Sequence, residues 1–245
     1  MNFFLNPKKV VIIGNKSHIY FNDRIINHKL YSCYFEKFRI WTLGNLSKGI
    51  QVNPHYFGNI TIRNKNQKTR FFLTSTSHRN YGYLIESIKI LKKESFNFEI
   101  IIVGRPKFKE LKKIPKSLSD NFIIKQKVSY TELYNYVENS DYIIIPLDPK
   151  RENDILYNYT KVTGSIQLVY GFLKPAIINE KFSHFYNLNR KNSLIYNDSN
   201  LYNILRKAIL LSNKDYKKLQ SNLHIIEKEI SKISITNIKK CFSSS

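Results

Sequence analysis

The sequence predicts an α/β protein: a Rossmann-like, doubly wound parallel sheet preceded by a small, incomplete N-terminal α/β region. Three observations carry this expectation. From residue 71 onward, short apolar runs bounded by Gly, Pro or hydroxyl residues alternate with stretches whose apolar residues recur at helical spacing. Runs such as 98–103 (Phe-Glu-Ile-Ile-Ile-Val) and 142–145 (Tyr-Ile-Ile-Ile) are nearly continuous, the pattern of strands covered on both faces. Helical stretches also separate the runs, and parallel neighbours need a crossover helix to carry the chain back.

Taken in order, residues 10–13 form an apolar run closed by Gly14, read as a buried strand, and residues 38–43, ended by Gly44, give a second. Residues 15–37 between them are polar and aromatic with poor periodicity. Pro54 and Gly58 mark a loop. Residues 59–70 are polar and cationic, a composition shift that divides the chain into an N-terminal region (1–60), a linker (61–70) and a Rossmann-like domain (71–245). In that domain the expected strands are 71–73, 98–103, 122–124, 142–145, 176–178 and an edge-like 193–196. Leu84, Ile85, Ile88 and Leu91 mark one helix face. Ser129 and Glu132 have capping-box spacing for a helix carrying Leu133 and Val137, and Leu201, Leu205, Ile209 and Leu210 mark a later helix. Tyr216, Leu219, Leu223, Ile226, Ile230 and Ile233 predict an apolar stripe on a long C-terminal helix, with docking on the chain's own core favoured over a coiled-coil partner. The tail 243–245 is expected to fray.

With 245 residues, 42% of them hydrophobic and 14% aromatic, the chain can bury a full core. Against 40 Lys and Arg stand 18 Asp and Glu, and the net charge of +22 predicts a field that attracts phosphates: nucleic acid, anionic lipid or a nucleotide-linked substrate. Nucleic acid is the least favoured, because the lysines are scattered and no helix-turn-helix, zinc-finger or RNA-binding signature is present. Cys33 and Cys241 lie far apart without His or Cys at metal-ligand spacing, so free thiols in a reducing compartment are expected. The first residues lack a signal-peptide core, and no run approaches the roughly 20 apolar residues of a membrane span. The expected location is the cytoplasm, with peripheral contact at the inner face of an anionic membrane.

The most informative stretch is 163–175, beginning Thr163-Gly164-Ser165 and ending Lys174-Pro175 before the apolar run 176–178. It reads as a small-residue turn opening a helix, then a proline break and a buried strand; the N–H groups at such a helix start suit a phosphate. In an open parallel sheet, ligands sit beyond the carboxyl ends of the strands. The candidate loops there are 75–80, 104–107, 125–128, 146–151 and the Thr163–Ser165 turn, rich in cationic and hydroxyl side chains. There is no G-x-x-x-x-G-K-[ST] and no G-x-G-x-x-G, which disfavours a P-loop ATPase and a nicotinamide dehydrogenase. The six histidines show no H-E-x-x-H spacing, and no nucleophile elbow is present.

From about residue 70 to 240, the order of signals resembles the C-terminal, donor-binding domain of two-domain GT-B glycosyltransferases of the group 1 type. The matching pieces are Arg79-Asn80-Tyr81 before a helix, Ile101-Ile102-Val103-Gly104, Val128-Ser129 with Leu133, the run 140–147 from Ser140-Asp141 to Pro146-Leu147, and Thr163-Gly164-Ser165 leading to Lys174-Pro175. The resemblance implies a UDP- or GDP-sugar donor and no cofactor or metal, with transfer to a surface glycan or lipid-linked acceptor. It further implies that Gly164 and Ser165, beside Thr163, give N–H groups to the donor diphosphate, and that Arg79, with Asn80, supplies charge to it. Gly104, followed by Arg105, would pass close to the nucleotide, and Lys127 and Val128 would face its base. Residues 1–60 would be the remnant of an acceptor-side domain. Many relatives carry two glutamates eight residues apart, and Thr160 and Leu168 stand at those positions. No catalytic residue is assigned, since the acceptor-side base commonly comes from the other domain. A non-catalytic subunit of a split enzyme, partnered by a chain that supplies the acceptor domain, and a basic nucleic-acid-binding protein remain the rival expectations.

Overall fold

The computed structural model describes residues 11–14, 39–42, 50–51, 61–75, 81–104, 112, 114–158, 162–198 and 200–243. Near the N-terminus, β1 (Val11–Gly14), β2 (Arg39–Thr42) and β3 (Ile50–Gln51) pair in parallel in the order β1-β2-β3. The third strand, only two residues long, was not expected from the sequence.

The larger sheet comprises β4 (Thr69–Ser75), β5 (Phe98–Gly104), β6 (Phe122–Lys125), β7 (Tyr142–Ile145), β8 (Ala176–Asn179) and β9 (Leu194–Tyr196). Every pairing is parallel, and the order is β6-β5-β4-β7-β8-β9. The chain thus winds outward from β4 to one edge, returns to β7 beside β4, and winds to the other edge. This is the Rossmann order, with its topological switch point between β4 and β7.

The continuous apolar runs are explained by two cores. Phe71, Leu73, Ile100, Ile102, Tyr142 and Ile144 pack on one face against α1 (Gly82–Lys93) and α6 (Leu201–Leu210). Phe72, Ile101, Val103, Ile143, Ile145 and Ile178 pack on the other against α2 (Tyr130–Glu138) and α4 (Ser165–Gly171). Alternate side chains thus point to opposite layers and all are buried. Two single-turn helices, α3 (Glu152–Ile155) and α5 (Glu180–Ser183), lie in the loops after β7 and β8. The capping box at α2 is formed: Ser129 Oγ accepts from the Glu132 N–H, and the Glu132 carboxylate accepts from the Ser129 N–H at 2.8 Å.

The last helix, α7 (Asn213–Ser243), crosses from one layer to the other. Tyr216 and Leu219 belong to the first core, whereas Leu223 and Ile230 belong to the second. The predicted stripe departs at Ile233, which is 47% exposed, while Ser234 is buried and bonds back to the Ile230 carbonyl. A stripe of alternating three- and four-residue steps advances less per turn than a straight α-helix and drifts off the buried face.

Residues 61–70, expected as a linker, are tied to this domain at the amino ends of the strands. Fully buried Asp141, at the mouth of β7, accepts from the Asn66 N–H at 2.9 Å, the Asn66 side-chain amide at 3.0 Å and the Arg70 N–H at 2.8 Å. Its carbonyl accepts from the Tyr216 hydroxyl of α7 at 2.7 Å. Strand β4 accordingly begins at Thr69, two residues before the predicted boundary. Close by, α4 ends in a Schellman turn: Lys174 N–H reaches the Val169 carbonyl, Leu173 N–H reaches the Tyr170 carbonyl, and Leu173 has φ 48°. This turn buries Lys174, whose Nζ donates to the Glu138 carbonyl at 2.7 Å. Burial, with the nearby Arg63 charge, pushes Lys174 down from 10.5 to about 7, against a smaller opposing pull from Asp141 and Glu138.

Two outcomes follow from this rim. Asp141→Asn sets an N–H against a donor the carboxylate now satisfies, and is expected to lower stability by about 1–3 kcal/mol in urea denaturation; an unchanged midpoint would remove Asp141 as the anchor. For Lys174, the folded value lies below the unfolded one, so below pH 7 the buried ammonium is destabilising in full. As pH rises from about 7 the folded chain sheds the proton while the unfolded chain keeps it, and stability rises. Denaturation between pH 7 and 9 is expected to show this rise in the parent and not in Lys174→Met; parallel curves would contradict it.

Candidate functional site

The carboxyl ends of β6, β5, β4 and β7 form one rim, and α4 begins above the switch point. At that point the Thr74 hydroxyl, near the end of β4, lies 2.8 Å from the Ser165 hydroxyl at the first turn of α4. This contact joins the first strand of the domain to the Thr163-Gly164-Ser165 turn, 91 residues later. Thr163 and Ser165 are buried, 5% and 2% exposed, and the Ser165 N–H points at the Thr163 hydroxyl at 3.4 Å.

Gly164 differs from both neighbours. It is exposed, with φ −61° and ψ −22°, a conformation open to any residue, and a Cβ added there would meet nothing within 4 Å. Neither backbone nor packing therefore requires glycine. Among the described residues its N–H has no acceptor, whereas those of Ile166 and Gln167 are taken up by the Thr163 and Gly164 carbonyls at 3.2 Å. The turn thus offers a donor and open space together.

Of the other predicted residues, Gly104, Lys127 and Val128 fall along the same rim. Gly104 ends β5 directly opposite Ser75, the last residue of β4, and its φ of 132° is one that glycine alone adopts readily. Lys127 follows β6 in a left-handed conformation, φ 55°, with its side chain exposed. Val128 is half-buried against the core, so Lys127 and not Val128 presents a side chain to solvent here. Arg79, Asn80 and Arg105 lie outside the described residues, as does Thr160. Leu168 is 8% exposed and belongs to the core, so its side chain points away from the rim.

Sequence reasoning missed part of the rim. Beyond β7, β8 and β9 a cavity of about 190 Å³ is lined by Tyr83, Asp148, Lys150, Asn179, Tyr196 and Asp198, among others. The Asn179 amide donates to Asp198 Oδ1 at 3.0 Å, and Lys181 Nζ lies 3.8 Å from Asp198 Oδ2. The Tyr83 and Tyr196 hydroxyls are 3.4 Å apart, and burial raises the Tyr196 phenol well above its ordinary value, so it stays protonated. Of the lining residues, 147–150 lie in a predicted loop; Tyr83 opens α1, Asn179 and Tyr196 close strands and Asp198 follows β9, and their convergence is a matter of strand order. Among the described residues, no group of three His, Cys, Asp or Glu side chains is placed to hold a metal ion. No described helix is long and apolar enough to cross a membrane.

Comparison with solved structures returns a consistent set of neighbours. An S. aureus TarM mutant in complex with Fondaparinux, alpha-GlcNAc-glycerol and UDP matches with a TM-score of 0.57 at 16% identity, over 97% of this chain and 44% of TarM. The pneumococcal O-GlcNAc transferase GtfA, in complex with UDP and GlcNAc, gives 0.54 at 10% identity, over 97% and 46% of the two chains. The fold is that of the GT-B glycosyltransferases. Anabaena HepE in complex with UDP-glucose gives 0.52 at 11% identity, over 71% of this chain and 48% of HepE. The chain spans less than half the length of each of these three GT-B proteins. No family model and no curated protein matches the sequence.

The open space at Gly164 leads to a direct expectation. Gly164→Ala should change the stability of the fold by less than about 0.5 kcal/mol, because the added methyl meets no protein atom. Urea denaturation checks this, and a loss of several kcal/mol would show that the fold itself demands glycine.

Proposed function

We propose that this chain binds a UDP- or GDP-sugar along the carboxyl rim of its larger sheet and serves glycosyl transfer to a surface glycan or lipid-linked acceptor. The observation that carries the reading is the Thr163-Gly164-Ser165 turn: an N–H without an acceptor and an unfilled space, locked by Ser165 to the strand that defines the switch point. The diphosphate sits there, receiving the Gly164 N–H, and Arg79 with Asn80 supplies charge to it. Gly104 leaves room for the nucleotide, and the exposed Lys127 stands toward its base. The cavity beyond β7–β9, with its carboxylates, amide and phenols, suits the hydroxyls of the sugar. The complexes of TarM and GtfA with UDP, and of HepE with UDP-glucose, support this choice of ligand.

In this reading the chain's share of the chemistry is stabilisation of the leaving nucleotide diphosphate. As the bond from the anomeric carbon to the diphosphate oxygen breaks, charge grows on that oxygen. The preorganised Gly164 N–H and the Arg79 guanidinium stabilise it more in the transition state than in the ground state. The acceptor's base is assigned to no residue here. The same rim also serves a nucleotide-sugar-binding subunit whose acceptor domain lies on a separate chain.

Calorimetric titration with UDP- and GDP-sugars tests the site. One nucleotide class is expected to bind, and Arg79→Ala to weaken it by about 10- to 100-fold, the loss of one charge-assisted hydrogen bond. No heat from any donor, or equal binding by both proteins, would count decisively against the assignment. Donor turnover that begins only when a second chain is added would favour the subunit reading.

A further inference from the structure

We propose that the outer face of α7 docks on an anionic phospholipid bilayer. The helix buries Tyr216, Leu219, Leu223 and Ile230 and turns its opposite side to solvent. At about 100° per residue, Lys214, Lys217, Lys218, Lys228, Lys232 and Lys239 fall within an arc of about 100° on that side. All six are exposed. They run for roughly 38 Å along the helix, a straight cationic edge that suits a flat, negatively charged surface. Of the nearest carboxylates, Asp215 accepts from the Ser212 hydroxyl at 2.7 Å and Glu227 from the Ser231 hydroxyl at 2.9 Å; Glu229 borders the stripe.

A solvated lysine face is common, and the isoleucines within this one select the partner. Ile225 is 56% exposed and Ile235 is 53% exposed, both inside the lysine arc. On a nucleic-acid backbone these side chains have nothing to contact, because that surface is phosphate and sugar. At a bilayer interface they enter the acyl boundary while the lysine stems reach up to the lipid phosphates. Beside the stripe and sharing Lys218, a cavity of about 670 Å³ adds Arg190, Lys191 and Lys207 to Leu194 and Leu219, with Asp215 as its one carboxylate among the described lining residues. Cations beside apolar side chains fit a lipid headgroup and the start of its chains. Bilayer docking through α7 is independent of nucleotide-sugar binding.

The test is co-sedimentation with phosphatidylcholine vesicles, with and without phosphatidylglycerol, in the absence of nucleotide. The parent is expected to sediment only with the anionic vesicles. Gln at Lys214, Lys228 and Lys232 should lower partitioning about fivefold per lysine. A control with Gln at Lys92, Lys93 and Lys116, also exposed and removing the same charge, should sediment like the parent. Ser at Ile225 and Ile235 should weaken vesicle binding and leave retention on a heparin column unchanged. Equal loss in the two lysine variants would reduce the effect to net charge and overturn the proposal. So would unchanged sedimentation of the α7 variants, or α7-dependent retention of duplex nucleic acid without vesicle binding.

Discussion

Asp141 is the constraint on which the domain's arrangement depends. A carboxylate without solvent contact must find donors, and here it finds them on the segment leading into β4. Those bonds fix where β4 starts, and the carbonyl of the same residue receives the Tyr216 hydroxyl, which fixes where α7 crosses. Around it, Arg63 donates to the Glu138 and Ser140 carbonyls, Lys65 to the last carbonyls of α6, and Gln220 to the Leu173 carbonyl. The amino rim is therefore a closed network in which side chains terminate helices that would otherwise leave carbonyls without donors.

The two rims of the sheet have opposite character. At the amino rim, polar groups are spent on one another, even to the extent of burying Lys174 against the Glu138 carbonyl. At the carboxyl rim side chains pair as well, Thr74 with Ser165, Tyr83 with Tyr196 and Asn179 with Asp198, but among the described residues the Gly164 N–H is left without an acceptor. Positive φ occurs at both rims: Gly104 and Lys127 hold it at the carboxyl ends of neighbouring strands, and Ser95 and Leu173 hold it ahead of β5 and β8. Rigidity at one rim allows openness at the other, a division that parallel sheets make available because all strands end on the same side.

Much of the fold was legible because burial on both faces writes itself as continuous apolar runs. Tyr142–Ile145 was read at its actual bounds, and the other strands of the large sheet differ by one or two residues. The capping box was legible because it is local. What escaped was non-local or very short: the two-residue β3, the single turns α3 and α5, and the cavity assembled from Tyr83, Asn179 and Asp198. Residues 61–70 read as a linker because their polarity looks like solvation, whereas Arg63, Lys65 and Asn66 bond to elements up to 157 residues away. In the site, Thr163 to Ser165 was legible as a helix start, but the partnership of Ser165 with Thr74 required knowing that β4 and β7 are neighbours.

The passage of α7 from one core to the other also orders events during synthesis. The nine described strands leave the ribosome before Asn213, and the six of the large sheet can pair as they emerge. Until Tyr216 and Gln220 arrive, however, the carbonyls of Asp141 and Leu173 lack their α7 donors, and the two layers lack the element common to both. Closure of the domain is therefore the last step of its assembly, made by a helix whose outward side is a row of lysines. For as long as α7 is still in the exit tunnel, the nascent domain has its sheet but not its seal.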